Sequence, residues 1–210
     1  MATINMNFSG CDCYCLGGGA VGERRIECLL REGANVHLVS PTVTPMLARY
    51  HEEGRLNWTC GTYRCPEKRY DFAFIMTDDA SVNAAAASDL RARGTYVNRA
   101  DDRNDCDFTL PAETDFGGLR FTVSTGMLSP RVNRLIREDL EERYEPLAAF
   151  LPTLGEMRRI VKEKLRTPAE REVFWRAHLT HAELEDIVSG RRKLVEDRLQ
   201  DAIGRIGIES

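Results

Sequence analysis

Short apolar segments alternate with longer amphipathic segments through the first half of the chain. We interpret the apolar segments as strands at residues 11–16, 36–39, 57–60, 71–76 and 95–98. Between them, residues 20–31, 43–53 and 81–93 have the composition or the apolar spacing of helices. Strands and helices that alternate in this way are typical of a parallel sheet covered by helices. The pattern therefore predicts an α/β domain of the Rossmann type in residues 1–112.

The alternation ends after residue 104. Two predicted strands, at residues 107–110 and 119–124, flank the turn Phe116-Gly117-Gly118 without a helix between them. Ser129 and Pro130 then suit the cap and the first residue of a helix, which we predict to run to about Tyr144. Residues 113–146 are therefore expected to form a small α+β region.

The last third of the chain is amphipathic and predicts helices only. A threonine precedes a glutamate by three residues at Thr153/Glu156, Thr167/Glu170 and Thr180/Glu183. This spacing is typical of the capping box, in which the two side chains satisfy backbone N–H groups at a helix start. We expect three helix starts there and an all-helical C-terminal domain in residues 147–210.

Composition excludes several classes of protein. The net charge of −4 gives no general affinity for nucleic acid, and 42% hydrophobic with 30% charged residues is ordinary for a globular protein in water. No apolar run reaches about 18 residues, and residues 1–10 lack a basic region followed by an apolar one. We therefore expect a cytoplasmic protein with no membrane span and no nucleic-acid partner.

Seven cysteines raise the question of metal or disulfide chemistry. Their number is odd and none has paired C-x-x-C spacing, which favours reduced thiols. Cys11, Cys13 and Cys15 alternate along a predicted strand, so we interpret them as small buried residues on one face. A second group of possible metal ligands has helical spacing, which is more typical of a solvated helix face than of a metal site. Its members are His178, His181, Glu183 and Asp186.

The glycine-rich turn after the first predicted strand carries the clearest chemistry. Gly17, Gly19 and Gly22 fit the G-x-G-x-x-G pattern of dinucleotide-binding domains. The first glycine allows the turn, the second lets the backbone approach a pyrophosphate, and the third permits close helix packing. A glycine turn without a ligand is the alternative. The strand, turn, helix and strand within about 30 residues favour dinucleotide binding.

One part of the fingerprint is missing. The second strand ends in Ser40-Pro41-Thr42, where an acidic residue would bind the ribose hydroxyls of NAD. A serine or threonine hydroxyl can contact either a ribose or a 2′-phosphate. This segment therefore leaves the choice between NAD and NADP open.

Glycine-rich or polar segments follow four of the five predicted strands at the same end. Because ligands of parallel sheets bind beyond the carboxyl ends of the strands, residues 17–22, 40–42, 77–79 and 98–102 should line one crevice. Four carboxylates lie there and could accept a proton. Asp79 is placed to cap the helix that follows it. Asp101 and Asp102 lie in a loop with no helix to cap, so a structural role explains them less well.

Five segments, in this order and at matching spacing, resemble the precorrin-2 dehydrogenases of sirohaem synthesis. They are residues 17–25, 39–41, 77–83, 97–112 and 124–130. The group includes separate dehydrogenases, bifunctional dehydrogenase and ferrochelatase enzymes, and the N-terminal half of bacterial sirohaem synthase. The resemblance is strong over residues 8–145 and looser over the helical tail.

The resemblance implies NAD-dependent oxidation of precorrin-2 to sirohydrochlorin, with insertion of Fe²⁺ into the product in some members. It also implies a homodimer whose dimerisation region is residues 113–146, and a tail that helps to enclose the tetrapyrrole. The family's essential aspartate corresponds to Asp101. The family's cofactor contacts correspond to Ala20, Val21, Pro41 and Thr42. Together with the glycine turn and the strand ends, the candidate cofactor-binding residues are Gly17, Gly18, Gly19, Ala20, Val21, Gly22, Ser40, Pro41, Thr42, Thr77 and Asp78.

The chain departs from the family pattern near Asp101. Arg99 and Ala100 replace a pair of aliphatic residues, and Thr125 stands where some bacterial members have a phosphorylated serine. Arginine forks bind carboxylates, and the tetrapyrrole substrates carry many of them. The candidate substrate-binding residues are Asn98, Arg99, Thr125, Arg131 and Arg134.

A different class of function shares many of these features. A regulatory module could bind NAD through the same glycine turn and change its partner binding without catalysis. Such a module would not need the segments at residues 98–108 and 124–130. The sequence therefore favours the enzyme, and it leaves iron insertion open.

Overall fold

The computed structural model describes residues 4–126 and 128–207. Met127, which belongs to the family-like segment at 124–130, lies outside the described residues. The chain divides into two compact units at the bond between Leu110 and Pro111. Each unit is described by itself below.

The first unit contains a five-stranded parallel sheet in the order β3-β2-β1-β4-β5. Its strands are β1 (Asp12–Gly18), β2 (Asn35–Val43), β3 (Asn57–Cys60), β4 (Phe72–Ile75) and β5 (Tyr96–Arg99). Its helices are α1 (Ala20–Arg31), α2 (Pro45–Glu52) and α3 (Ala80–Ala92), followed by a 3₁₀ turn at Arg103–Asp105. The predicted Rossmann arrangement is confirmed, because strand order reverses between β2 and β4 on either side of β1.

Side chains of β1 alternate between the two faces of this sheet. Cys13 and Cys15 are fully buried in one cluster with Ile26 of α1, while Tyr14 is buried in the other. Small alanines at 86 and 87 on α3 pack against the second face. The interpretation of the alternating cysteines as buried core residues is confirmed for this pair, and burial raises the pKa of the Cys13 thiol to about 12.

The second unit begins with an antiparallel hairpin of β6 (Ala112–Asp115) and β7 (Arg120–Val123). The predicted strand at residues 107–110 is wrong. Asp107 instead pairs with β5, since its N–H donates to the carbonyl of Val97 and its carboxylate accepts from the Val97 N–H, both at 2.8 Å. Phe108 packs edge-on against two aromatic rings of the sheet. The apolar signal of this segment reflects packing against the sheet and not a strand.

Helix α4 (Pro130–Lys164) begins at Ser129 as predicted, and the Ser129 hydroxyl accepts from the Val132 N–H. The predicted end near Tyr144 and the predicted start at Thr153/Glu156 are wrong. The helix continues through Pro146 and Pro152 for 35 residues. Its later apolar residues Phe150, Met157 and Val161 stay at helical spacing and are buried in one cluster, which favours an uninterrupted helix.

Three shorter helices complete the second unit: α5 (Pro168–His178), α6 (His181–Val188) and α7 (Arg192–Arg205). The capping boxes predicted at Thr167 and Thr180 are confirmed, each with reciprocal bonds to the glutamate three residues later. Among the described residues, no helix combines the length and the apolar character needed to span a bilayer.

Candidate active site

Strand register places four segments of the predicted crevice at one edge of the sheet. Leu16 of β1 is opposite Val39 of β2 and Ile75 of β4, and Ile75 is opposite Arg99 of β5. The residues that follow these positions therefore leave the sheet side by side. The prediction that the glycine turn and the segments beginning near residues 40, 77 and 98 share one edge is confirmed by this register.

The glycine turn has the close packing that its pattern predicts. Gly17 has a φ of +105°, and a side chain there would place its Cβ 2.6 Å from the carbonyl oxygen of Met76. A Cβ on Gly22 would overlap the carbonyl oxygen of Gly17. Only residues without a side chain allow α1 to begin this close to β1 and β4.

Gly19 differs from its neighbours because its surroundings are open. A Cβ built on it meets no atom within 4 Å. Gly19 is the N-cap of α1, no side chain caps that helix end, and Ala20 and Val21 behind it are exposed. Unpaired N–H groups and the helix dipole favour an anion at this position. The open space and the donor set fit a pyrophosphate.

Ser40 has a structural role at the end of β2. Its side chain is buried, and its hydroxyl accepts from the Gly18 N–H at 3.0 Å and donates to the Thr42 carbonyl at 2.6 Å. The hydroxyl thus links the glycine turn to β2 and is fully used. Pro41 and Thr42 are exposed beside it. They, and not the Ser40 hydroxyl, are open to a ligand.

Thr77 and Asn83 are hydrogen-bonded to each other after β4, and the Asn83 side chain also contacts Asp101. The Thr77 hydroxyl donates to Asn83 Oδ1 at 2.5 Å, and Asn83 Nδ2 donates to the Thr77 carbonyl at 2.9 Å. Asn83 is fully buried on α3. Asp79 caps α3 as predicted, accepting from the Ser81 and Val82 N–H groups, and its bonds to Ser81 lower its pKa. Asp78 is exposed.

Asp101 is paired with a buried arginine. Arg99 Nε donates to Asp101 Oδ1 at 3.2 Å, and Arg99 Nη2 donates to Asp101 Oδ2 at 2.8 Å. The Asp101 side chain is 26% exposed, whereas that of Arg99 is 7% exposed. Hydrogen bonds from Arg99 hold the pKa of Asp101 below its usual value. Asp101 therefore presents an ionised carboxylate at neutral pH.

The neighbouring Asp102 has a different role from the one expected. It caps the 3₁₀ turn, with its carboxylate accepting from the Asn104 N–H at 3.0 Å. The expectation that neither aspartate had a helix to cap is therefore wrong for Asp102. Asp101 is left as the acid of this loop without a capping role.

The candidate substrate-binding residues lie in different environments. Asn98 donates to the carbonyl of Phe108 at 2.9 Å, and the Arg99 guanidinium is occupied by Asp101 and Asp105. In the second unit, the Thr125 hydroxyl accepts from the Ser129 N–H at 3.0 Å, and Arg134 pairs with Glu138 at 2.8 Å. Arg131 is exposed. The Arg99 guanidinium is therefore buried and already engaged by two carboxylates of this chain.

Sequence reasoning gave no role to three residues of this site. Asn83 lies on the same face of α3 as Ala86, Ala87 and Leu90, and a polar residue on an apolar helix face is the signal that could have identified it. Asp105 pairs with both Arg99 and Arg91, but no sequence pattern marks Asp105 or Arg91 in this way. Their partners are distant in sequence or lie in an irregular loop.

Three of the four possible metal ligands near residue 180 contact other side chains instead. Glu183 belongs to a capping box, Asp186 pairs with Arg191 at 2.8 Å, and the ring of His178 contacts Phe174. Within residues 4–126 and 128–207, no three His, Cys, Asp or Glu side chains are grouped as metal ligands.

Two family models match the chain. Residues 4–112 match the family described as "Putative NAD(P)-binding", and residues 143–203 match the sirohaem synthase dimerisation region. The first match covers the whole parallel sheet and the second covers most of the helical part.

Curated relatives are siroheme synthases. That of Methylobacillus flagellatus is 31% identical over 202 residues, covering 93% of this chain and 42% of the relative. That of Actinobacillus succinogenes is 32% identical over 190 residues, covering 89% of this chain and 38% of the relative. The chain thus spans about two-fifths of the length of these relatives.

A solved structure described as "SirC, precorrin-2 dehydrogenase" has a similar fold. The TM-score is 0.74 at 22% sequence identity, and the alignment covers 96% of this chain and 100% of the other. At this identity the likeness shows the arrangement of the elements only.

Proposed function

We propose that this chain, which belongs to the family described as "Putative NAD(P)-binding" and also matches the sirohaem synthase dimerisation region, oxidises precorrin-2 to sirohydrochlorin, with NAD⁺ as the hydride acceptor. The observation that carries this proposal is the shared sheet edge. The open N-terminus of α1 at Gly19 and the ionised carboxylate of Asp101 both follow strands that end at the same edge of the sheet. One suits a dinucleotide and the other suits a proton acceptor.

The nicotinamide cofactor would be held by the glycine turn, with Pro41 and Thr42 toward its adenosine ribose and Thr77 and Asp78 along the crevice. When bound, it accepts the hydride that the tetrapyrrole loses. We favour NAD over NADP because residues 40–42 contain no lysine or arginine to neutralise a 2′-phosphate.

Asp101 would accept the proton that accompanies the hydride. The oxidation removes two hydrogen atoms from the substrate: one leaves as the hydride, which carries both electrons to NAD⁺, and the other leaves as a proton, which a base beside the substrate would accept. Asp101 is ionised and partly exposed, whereas Asp79 and Asp102 are engaged in caps. Asp101 is therefore better suited to accept the proton than Asp79 or Asp102.

The direct test is incubation of the protein with precorrin-2 and NAD⁺ without oxygen. The proposal predicts formation of NADH together with the visible absorption of sirohydrochlorin. Replacement of NAD⁺ by NADP⁺ in a parallel reaction tests the cofactor choice. NAD⁺ binding without any NADH would favour the regulatory module.

Iron insertion is a separate reaction and has its own test. Fe²⁺ and sirohydrochlorin supplied without NAD⁺ would give sirohaem only if the protein chelates iron. The oxidation proposal does not depend on that result, because the chelation reaction needs no hydride acceptor.

We also propose that the protein is a homodimer formed through its second unit. Val132, Leu135 and Ile136 occupy one face of α4 and are each more than 40% exposed. Apolar residues exposed together in this way are typical of protein interfaces. The face lies on the helix that continues into the matched dimerisation region, so a second copy of the chain is the occupant that we propose.

A further inference from the structure

Arg99 lies behind Asp101 and contacts both of its oxygens. The guanidinium is 7% exposed and makes two bonds to Asp101 and a third, from Nη1, to Asp105 Oδ2 at 2.6 Å. A fork with two parallel N–H donors fixes a carboxylate in direction as well as in place. Asp101 cannot rotate without breaking at least one of these bonds.

A second arginine holds Asp105 from α3. Arg91 Nη2 donates to the Asp105 carbonyl at 2.8 Å, and Arg91 Nη1 contacts Asp105 Oδ1. Arg91 Nε also donates to Asp107, whose carboxylate accepts from the Val97 N–H of β5. A continuous series of ion pairs therefore connects the strand end to the body of the sheet. It runs through Asp101, Arg99, Asp105, Arg91 and Asp107.

Sulfur contacts close the loop from the other side. Cys106 Sγ accepts from the Arg99 N–H at 3.1 Å and lies 3.3 Å from the carbonyl oxygens of Arg99 and Asp102. The backbone that carries both members of the pair is thus fixed. The position of the Asp101 carboxylate then depends on its side-chain partners, of which Arg99 is the principal one and Asn83 the other.

We propose that Arg99 is a positioning residue for Asp101, whose buried guanidinium fork, anchored by Asp105 and Arg91, aims the Asp101 carboxylate at the substrate. Arg99 does not bind a substrate carboxylate itself. The inference rests on the proposed role of Asp101 as the proton acceptor. An aliphatic residue at position 99 could form none of these bonds.

The charges around the pair also set the state of the carboxylate. Hydrogen bonds from Arg99 lower the pKa of Asp101, and bonds from Arg99 and Arg91 lower the pKa of Asp105. Burial raises the pKa of the Cys106 thiol. The charged and titratable groups that surround Asp101 and Arg99 are Asp102, Asp105, Cys106 and Asp107 from the loop, and Arg91 from α3.

The test uses Arg99→Gln and Arg99→Lys, with Arg103→Gln as the control. Arg103 is an exposed arginine in the adjacent 3₁₀ turn. We expect kcat to fall about 100-fold in both Arg99 variants, because a shift of about 1 Å in a catalytic group has an effect of this size. KM should change less than about threefold, since binding is not the function assigned to Arg99. Arg103→Gln should match the unmodified protein.

The pH profile separates two effects of Arg99: the orientation of the Asp101 carboxylate and the positive charge beside it. A base acts in its ionised form, so loss of the guanidinium should raise the pKa of Asp101 and move the acid limb of kcat to higher pH in Arg99→Gln. Arg99→Lys keeps the positive charge but loses the fork, so its acid limb should move less while its kcat stays low.

A titration of Asp101 provides a readout that needs no activity. Carbon-13 NMR of aspartate-labelled protein, with Asp101→Asn to assign the signal, should show a higher Asp101 pKa in Arg99→Gln. If that variant does not fold, the same measurement on Arg99→Lys and on Arg99→Val/Asp105→Asn, which also removes the second carboxylate that Arg99 bonds, takes its place.

Two results overturn different statements. An unchanged kcat and acid limb in the Arg99 variants, with Asp101→Asn inactive, would refute the positioning role alone. A fully active Asp101→Asn would refute the proposed role of Asp101, whatever the Arg99 variants do. A large rise in KM with kcat unchanged would instead assign Arg99 to substrate binding.

Discussion

The carbonyl oxygen of Gly17 occupies the space that a side chain on Gly22 would need. The turn after β1 and the first turn of α1 are therefore in direct backbone contact. This contact sets the distance between the sheet and the helix end that faces the crevice.

Gly22→Ala is expected to destabilise the first unit. The added Cβ must displace rigid backbone, and overpacking of this kind costs about 1–3 kcal/mol of unfolding free energy. Urea denaturation followed by circular dichroism measures the loss. A midpoint equal to that of the unmodified protein would contradict the close packing.

Gly19→Val tests the cofactor site at a position where the fold has room. The Cβ of residue 19 meets no atom within 4 Å, so we expect an unfolding midpoint close to that of the unmodified protein. The valine would occupy the space assigned to the pyrophosphate, and NAD⁺ binding should weaken at least about tenfold, which is about 1.4 kcal/mol. Calorimetric titration measures the affinity. Unchanged binding would place the cofactor elsewhere.

Asp101→Asn should abolish most of the oxidation while NAD⁺ still binds. Loss of a general base typically lowers kcat by about 10²–10⁴-fold, and the asparagine keeps the shape of the side chain. Steady-state NADH formation from precorrin-2 measures the effect. Asp102→Asn is the matched control, since Asp102 caps the 3₁₀ turn, and it should retain most of the activity.

Leu135→Glu should convert a dimer to a monomer. The substitution places a charge in the centre of the exposed apolar face of α4, and charged residues are depleted from interface cores. Light scattering should give about twice the chain mass of 23.8 kDa for the unmodified protein and about one chain mass for the variant. Ile4→Glu, at an exposed apolar residue of the first unit, should stay dimeric. A monomeric unmodified protein would refute the proposed dimer.

Stability should fall as the pH is lowered below about 5. Asp101 and Asp105 have lowered pKa values in the folded protein because of Arg99. Groups of this kind stabilise the fold above their unfolded pKa of about 4, and the contribution is lost as the pH falls through the lower folded value. Urea midpoints at a series of pH values should show this decline. Asp105→Asn should show a shallower one, because it removes one of the two carboxylates.

The local features of this fold could be read from the sequence. The glycine fingerprint, the alternation of strands and helices, and the caps at Asp79, Ser129, Thr167 and Thr180 each depend on residues within a few positions of one another. Local backbone geometry and hydrogen bonding determine them, so a single sequence contains the information. The parallel sheet with its crevice followed from these elements and from general rules of topology.

Other features depended on contacts between distant segments. Helix α4 passes through two prolines because its buried residues keep packing into the helical core, and residues 107–110 bind to β5 instead of forming a strand. The positions of Asn83 and of the Asp105 and Arg91 pair are likewise set by tertiary contacts. The absence of a local role pointed to Asp101 and Asp102 alike, and the family resemblance selected Asp101. Only the tertiary structure shows that Arg99 holds it, since burial of that arginine depends on the helix and loop that enclose it.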